Sequence, residues 1–264
     1  MSKKISDALF SARWAIRAGK PDFAYDKVTE ALEEIGALPK SIKDQEPPPM
    51  SELPEEALKD DGEEIQDPIF VKVKDVHFKE TRYNTKSKMA EGLVVHYTVS
   101  GRSSKNAISV LKYLASKNLG CMVMDEDGII YIPESFDVMR DAAAHAGVSK
   151  WNGHSGLNDE FAGIEICGWG RSDAKDESKG RTVEVPKQNE NMVKGWYQPF
   201  TPKQEKALKN LCFWMKKQNP SFKFENVCGH DEARTEAGKP GDKQDPGGSL
   251  SMTMPSFRKN VLKI

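Results

Sequence analysis

Apolar residues near the N-terminus recur at the spacing of amphipathic helices. Ile5 and Leu9, and further on Val28 and Leu32, follow this three-to-four-residue period. A Gly-Lys-Pro sequence separates the two groups, and such residues interrupt helices. We therefore predict that residues 1–38 form a small helical module.

Acidic residues and prolines dominate the next segment, residues 39–68, which has few large apolar side chains. Such a composition cannot bury enough surface to offset the conformational entropy of the chain. The three consecutive prolines from Pro47 favour an extended backbone. We predict a linker here.

Short β-rich runs alternate with amphipathic stretches over residues 69–264, as is typical of one α/β domain. The predicted strands are Ile69–Val73, Leu93–His96, Cys121–Met124, Ile129–Ile132, Phe161–Cys167 and Phe224–Cys228, and the predicted helices are 104–117 and one that begins at Thr201. An Asp-Glu-Asp-Gly turn predicts a hairpin between the third and fourth strands. Residues 171–199 are charged and lack a period, so we predict an irregular, mobile surface insertion.

Composition and charge narrow the classes of function. Lys and Arg number 39 and Asp and Glu 40, so a net charge of -1 gives no global attraction to nucleic acid, and we predict no nucleic-acid partner. No run reaches the roughly 18 apolar residues of a transmembrane helix. The N-terminus lacks the apolar core of a secretory signal, so we expect synthesis in the cytoplasm.

The four cysteines show no metal-binding or redox spacing. None forms a Cys-x-x-Cys pair, and at least three lie in apolar runs where small thiols are commonly buried. We predict that Cys121, Cys167, Cys212 and Cys228 are reduced core residues.

Two histidines stand at the ends of apolar runs that read as strands. His96 closes Leu93-Val94-Val95, and His230 closes Val227-Cys228-Gly229. Either histidine alone is better explained by a core or capping role. Together with Asp245, further along the chain, they supply the two nitrogens and one oxygen of an open catalytic zinc site, in which a fourth position is left for water.

Glu165 lies within the apolar strand sequence Gly163-Ile164-Glu165-Ile166. Burying an unpaired charge at such a position costs folding free energy. Such a residue therefore serves either in proton transfer or in pairing with a cation in the core. Lys243 lies in a loop rich in Gly, Asp and Lys, where a lysine is usually solvated. Its candidacy rests on its position two residues before Asp245.

Five segments in this order resemble the type 2 N-acetylmuramoyl-L-alanine amidases, which share the fold of the peptidoglycan recognition proteins. The segments are Val94-Val95-His96-Tyr97-Thr98, Ala144-His145-Ala146-Gly147 with Trp151 after it, Gly163-Ile164-Glu165-Ile166, Gly229-His230-Asp231 and Lys243-Gln244-Asp245-Pro246-Gly247. The resemblance covers residues 90 to 250. It implies a central mixed β-sheet flanked by helices.

The resemblance also implies a role for each matching residue. The zinc ligands would be His96, His230 and Asp245, the catalytic acid and base Glu165, and the stabiliser of the oxyanion Lys243. The substrate would contact His145, Trp151, Tyr97 and Thr98.

Alternatives remain for the third zinc ligand and for the role of Trp151. The loop between His230 and Asp245 is longer than in compact relatives, so Asp231 and Asp242 remain alternative ligands. Trp151 is equally explained as a half-buried structural residue.

The activity implied by the resemblance is zinc-dependent cleavage of the amide between N-acetylmuramic acid and L-alanine in peptidoglycan. One alternative is a recognition protein that binds peptidoglycan without cutting it, and another is a cytoplasmic amidase that recycles muropeptides. A purely structural zinc is disfavoured, because such sites usually close all four positions and prefer cysteine. We favour a phage endolysin that reaches the periplasmic wall through a holin, with residues 1–38 as a wall-targeting module.

Overall fold

The computed structural model describes residues 65–78, 88–120, 122–188 and 191–264. The predicted N-terminal module, most of the predicted linker and Cys121 lie outside these ranges.

The described chain contains nine strands and five helices, in the order of an α/β domain. The strands are β1 (Phe70–Val73), β2 (Gly92–Tyr97), β3 (Met122–Met124), β4 (Ile130–Pro133), β5 (Phe161–Ile166), β6 (Arg171–Ser172), β7 (Val183–Val185), β8 (Gly195–Tyr197) and β9 (Val227–Gly229). The helices are α1 (Ser104–Lys117), α2 (Leu157–Glu160), α3 (Pro202–Gln218), α4 (His230–Glu236) and α5 (Met254–Asn260).

Six strands form the central sheet in the order β1-β4-β3-β5-β2-β9. Only β3 and β4 run antiparallel, as the predicted hairpin requires, and the other neighbours are parallel, so the sheet is mixed. Within the described ranges, no helix combines the length and the apolarity needed to cross a membrane.

Capping residues set the ends of the two long helices. The Ser103 side chain accepts the amide of Asn106 at the start of α1, and Asn118 ends that helix in the left-handed conformation. At α3, Thr201 and Gln204 form a reciprocal capping box ahead of Pro202. Both predicted helices are confirmed.

Alternating residues of β2 and β5 pack into different layers, because successive side chains of a strand point to opposite faces. Leu93, Val95 and Ile164 belong to the large core cluster that includes the apolar side of α3. Val94 lies on the other face, in a smaller cluster with Cys228. His96 follows Val94 by two residues and is therefore on that second face.

The segment 171–199 is more regular than its composition predicts. β6, β7 and β8 form a separate three-stranded antiparallel sheet, so the prediction of an irregular segment was wrong. Tyr197 at the end of β8 is fully buried, and Gly247 and Gly248 lie against its ring with no room for a Cβ atom. Burial of this ring orders a segment whose remaining residues are largely charged.

Two further predictions need correction. Residues 224–226 form a 3-10 turn, so the last predicted strand is confined to β9. His230 begins α4 instead of ending a strand, and α4 occupies the first half of what we predicted as a loop. The prediction of buried, reduced cysteines is confirmed for Cys167, Cys212 and Cys228.

A buried ion pair joins α4 to α5. Arg258 donates to both carboxylate oxygens of Glu232, at 2.8 and 2.9 Å, and also to the carbonyl of Val227 at 2.9 Å. Glu232 accepts the amide of Gly229, the residue before His230, at 2.9 Å. The pair therefore holds the junction between β9 and α4.

We expect Arg258→Leu to lower the free energy of unfolding by about 3–5 kcal/mol, because it leaves the Glu232 carboxylate buried without its cation. Urea unfolding measures this loss. The double variant Glu232→Leu with Arg258→Leu should recover a large part of it. A double variant that is less stable than Arg258→Leu would contradict this account of the pair.

Candidate active site

Neighbouring strands bring the two candidate histidines together. β2 pairs with β9 through Leu93 and Val227, so the carboxyl ends of these parallel strands lie side by side. His96 is the penultimate residue of β2, and His230 follows β9 directly. Their ring centroids lie 4.6 Å apart, and both side chains are buried.

Asp245 completes this cluster from the loop after α4. Its Oδ2 atom lies 2.6 Å from His96 Nδ1 and 3.1 Å from His230 Nδ1. The amide of Asp231 donates to the Asp245 carbonyl at 2.9 Å, which ties the loop back to α4. The three ligand atoms all lie within 4.8 Å of one another.

The electrostatics of the cluster favour the ionisation states that metal ligands need. Burial lowers the pKa of His96 and so favours its neutral form. Burial alone would raise the pKa of Asp245, but hydrogen bonds with His230 and His96 outweigh it and hold that pKa below its usual range. A neutral imidazole beside an ionised carboxylate is the form that binds a cation.

The alternative carboxylates of this loop have other partners. Asp242 accepts from Arg234 Nε at 2.7 Å. Asp231 is buried, and its Oδ1 accepts the amide of Glu232 at 2.9 Å. The geometry therefore favours Asp245 over Asp231 and Asp242.

The donor set fits zinc. Two imidazole nitrogens and one carboxylate oxygen are a common catalytic combination, with donors about 3.3 Å apart around a tetrahedral ion. The 3.1 Å contact between Asp245 Oδ2 and His230 Nδ1 lies close to that separation, and the 2.6 Å contact with His96 Nδ1 is shorter. His96, His230 and Asp245 could thus hold a Zn²⁺ ion with small adjustments.

Glu165 lies next to this cluster. It is the direct neighbour of His96 across the β2–β5 ladder, so both side chains project from the same face of the sheet. Burial, followed by the charge of Asp245, raises the pKa of Glu165 to about 8, although Lys243 acts in the opposite direction. The carboxyl group is therefore suited to exchanging protons near neutral pH.

The raised pKa of Glu165 predicts how the stability of the metal-free protein depends on pH. Because the pKa rises from 4.5 to about 8 on folding, the native state binds the extra proton, and this stability is lost as pH rises through that window. In chelator, Glu165→Gln should be more stable than the unsubstituted protein by about 2–4 kcal/mol at pH 9 and similar to it at pH 4.5.

Urea unfolding across this pH range checks the prediction, with the exposed Glu134→Gln as a matched control. A difference between Glu165→Gln and the unsubstituted protein that stays constant with pH would rule out a perturbed Glu165.

Lys243 is solvent-exposed in the loop that carries Asp245. Its positive charge contributes to the lowered pKa of His96 and partly offsets the raised pKa of Glu165, so it acts on both groups. The position suits a cation that stabilises negative charge formed near the metal ligands.

A cleft of about 370 Å³ opens beside Glu165. It is lined by Tyr97, Thr98, Ser100, Asn106, Ser109, Val110, Tyr113, Leu114 and Glu165. It therefore brings together Glu165 and two of the predicted substrate contacts.

One side of the cleft is a face of α1 that we did not predict to be functional. Tyr113 on this face is 60% exposed. Asn106, Ser109 and Tyr113 recur at helical spacing, and this polar stripe is the signal that would have identified the face.

The other two predicted substrate contacts, His145 and Trp151, do not line this cleft. His145 lies behind His96, with its Nδ1 3.4 Å from His96 Nε2. Trp151 packs against the cluster that contains Val94, its indole N–H donates to the carbonyl of Glu225 at 2.8 Å, and the Arg258 guanidinium lies 4.9 Å from its ring. These contacts favour the structural alternative for Trp151.

The family model of the N-acetylmuramoyl-L-alanine amidases matches residues 85–248, which is more than half of the chain. The chain therefore belongs to the N-acetylmuramoyl-L-alanine amidase family. A comparison with curated proteins gave no match.

Solved structures of amidases and recognition proteins are similar to this chain. AmiD from E. coli, in a complex with the substrate anhydro-N-acetylmuramic acid-L-Ala-D-γ-Glu-L-Lys, is 25% identical, with a TM-score of 0.43 over 65% of this chain and 58% of that chain. This chain thus spans less than two thirds of AmiD.

Two other structures match over larger shares of their own length. The amidase LysC from Clostridium intestinale is 16% identical, with a TM-score of 0.46 over 75% of this chain and 99% of that chain. Drosophila PGRP-LB is 14% identical, with a TM-score of 0.43 over 68% and 89%.

Proposed function

We propose that this protein is a zinc-dependent hydrolase that cleaves the amide between N-acetylmuramic acid and L-alanine in bacterial peptidoglycan. The convergence of His96 Nδ1, His230 Nδ1 and Asp245 Oδ2 beside Glu165 carries the proposal. Membership of the amidase family supports the assignment of the bond that is cut.

The metal and Glu165 have separate tasks in this proposal. Zn²⁺ bound by the three ligands supplies Lewis acidity toward a water molecule and toward the amide carbonyl. Glu165, in its ionised form, accepts the proton of the attacking water. The same carboxyl group then returns a proton to the leaving nitrogen of L-alanine.

Lys243 contributes charge to the reaction. Its ammonium group would stabilise the negative charge that develops on the carbonyl oxygen during attack. The cleft between Glu165 and α1 would receive the part of the muropeptide next to the scissile amide, with Tyr97 and Thr98 at its wall.

Digestion of purified sacculi, with and without a zinc chelator, tests the proposal. We expect mass spectrometry to detect new L-alanine amino termini, and we expect these to disappear on chelation. New reducing sugar ends or cuts inside the peptide would contradict it. Binding to sacculi without any new terminus would instead indicate a recognition protein.

We further propose that the substrate is the assembled wall, as for an endolysin that is made in the cytoplasm and released through a holin. The basic residues Lys3, Lys4, Arg13, Arg17 and Lys20, in the segment predicted as a targeting module, support this role through attraction to an anionic wall or membrane surface.

The rates of cleavage on intact sacculi and on soluble anhydromuropeptides separate lysis from recycling. A lytic enzyme should cleave intact sacculi at least as fast per bond as it cleaves soluble anhydromuropeptides. Rapid cleavage of the soluble muropeptide with intact sacculi left uncut would identify a recycling amidase.

A further inference from the structure

We infer that the short loop containing His145 and Ala146 fixes the tautomers of both metal-binding histidines, and that Asn158 holds this loop in place. The inference rests on the proposed metal site and deepens it. It gives His145 a positioning role instead of the substrate contact implied by family resemblance.

The tautomer of His145 follows from a backbone carbonyl. His145 Nε2 lies 3.3 Å from the carbonyl oxygen of Phe161, which can only accept, so Nε2 carries the proton. In the neutral ring Nδ1 is then an acceptor. Because His145 Nδ1 lies 3.4 Å from His96 Nε2, the proton between them belongs to His96 Nε2.

In the metal-bound form, with its proton on Nε2, His96 can offer to the proposed metal the lone pair of Nδ1, the atom that hydrogen-bonds Asp245 in the metal-free chain. The same reasoning applies to His230, whose Nε2 donates to the carbonyl of Ala146 at 3.2 Å. Adjacent residues of one loop thus direct the Nδ1 atoms of both histidines toward the proposed metal. Hydrogen bonds from the other ring nitrogen commonly set ligand orientation in this way.

Asn158 anchors the loop from α2. Its Oδ1 atom accepts the amides of both His145 and Ala146 at 2.9 Å. Gly163 supports the same arrangement, because a Cβ atom at that position would lie 2.6 Å from His145 Cγ. The imidazole of His145 therefore packs directly over the backbone of β5, between Phe161 and His96.

Two matched pairs of variants test the inference. Asn, Asp and Leu have similar branched shapes, so His145→Asn and Asn158→Asp keep an acceptor where His145→Leu and Asn158→Leu remove it. We expect each Leu variant to weaken Zn²⁺ binding by about 10–100-fold, measured by competition with a chromophoric chelator. The acceptor-keeping variants should stay within about threefold of the unsubstituted protein.

Additional measurements separate positioning from general damage to the fold. The visible spectrum of bound Co²⁺ should change in the Leu variants and not in their partners, and the melting temperatures of the metal-free forms report folding. Equal Zn²⁺ affinity within each pair would overturn the inference. If the unsubstituted protein binds Zn²⁺ no more tightly than His96→Ala does, the proposed metal site itself fails.

Discussion

His96→Ala is expected to lower amide hydrolysis by about 10³-fold or more and to abolish tight Zn²⁺ binding. Lewis-acid catalysis supplies several kcal/mol of transition-state stabilisation, and each 1.36 kcal/mol corresponds to a factor of ten. His96 Nδ1 lies 2.6 Å from Asp245 Oδ2. The substitution therefore removes one metal-binding nitrogen and also a hydrogen-bond partner of Asp245, a second proposed ligand. Steady-state kinetics and metal analysis of the purified variant measure both effects.

His154→Ala is the matched control. His154 is also partly buried and paired with a carboxylate, that of Glu160 at 2.5 Å, but it lies outside the ligand cluster. We expect this variant to keep its Zn²⁺ and to remain within about tenfold of full activity. A His96→Ala protein that is folded and still active would refute the ligand assignment.

Glu165→Gln should lower kcat by about 10²–10⁴-fold and leave Zn²⁺ affinity nearly unchanged, because the amide cannot accept and return a proton. The substitution keeps the size of the side chain next to His96 in the sheet. Kinetics with a soluble muropeptide measure the loss of turnover, and chelator competition measures the metal affinity.

The combination of these two results identifies the role of Glu165. A purely structural carboxylate would alter stability without such a loss of kcat, and a fourth ligand would alter metal affinity. Full activity of Glu165→Gln would leave the proposed reaction without its acid and base.

The short β-rich runs allowed several central strands to be predicted, because a run of apolar residues indicates a buried strand. β2 and β5 are apolar on both faces except at His96 and Glu165, and these two residues are direct neighbours in the sheet. The order of strands was not predictable in this way, since β1 pairs with β4, far along the chain. Such pairings depend on contacts that no local pattern encodes.

The choice among the acidic residues of the metal loop also required the structure. The sequence favoured Asp245 through its match to the family segment and kept Asp231 and Asp242 as alternatives. Helix α4 buries Asp231, and Arg234 engages Asp242. Tyr197 packs against Gly247 and supports the turn that follows Asp245. Tyr197 belongs to the charged segment 171–199, whose composition gave no sign of this contact.

The role of His145 was obscured for a related reason. The Ala-His-Ala-Gly segment identified the residue, but its position behind His96 depends on the carbonyl of Phe161 and on Asn158. Neither group belongs to a motif. Only the folded chain shows that they converge on one loop.

Titration of Zn²⁺ into the metal-free protein, with cleavage of a defined N-acetylmuramoyl peptide followed in the same sample, tests the central claim most directly. We predict that the rate of release of the L-alanine amino terminus rises linearly with Zn²⁺ and stops rising at one equivalent. Full hydrolysis before any metal is added, or stoichiometric Zn²⁺ binding without hydrolysis of this amide, would contradict the account.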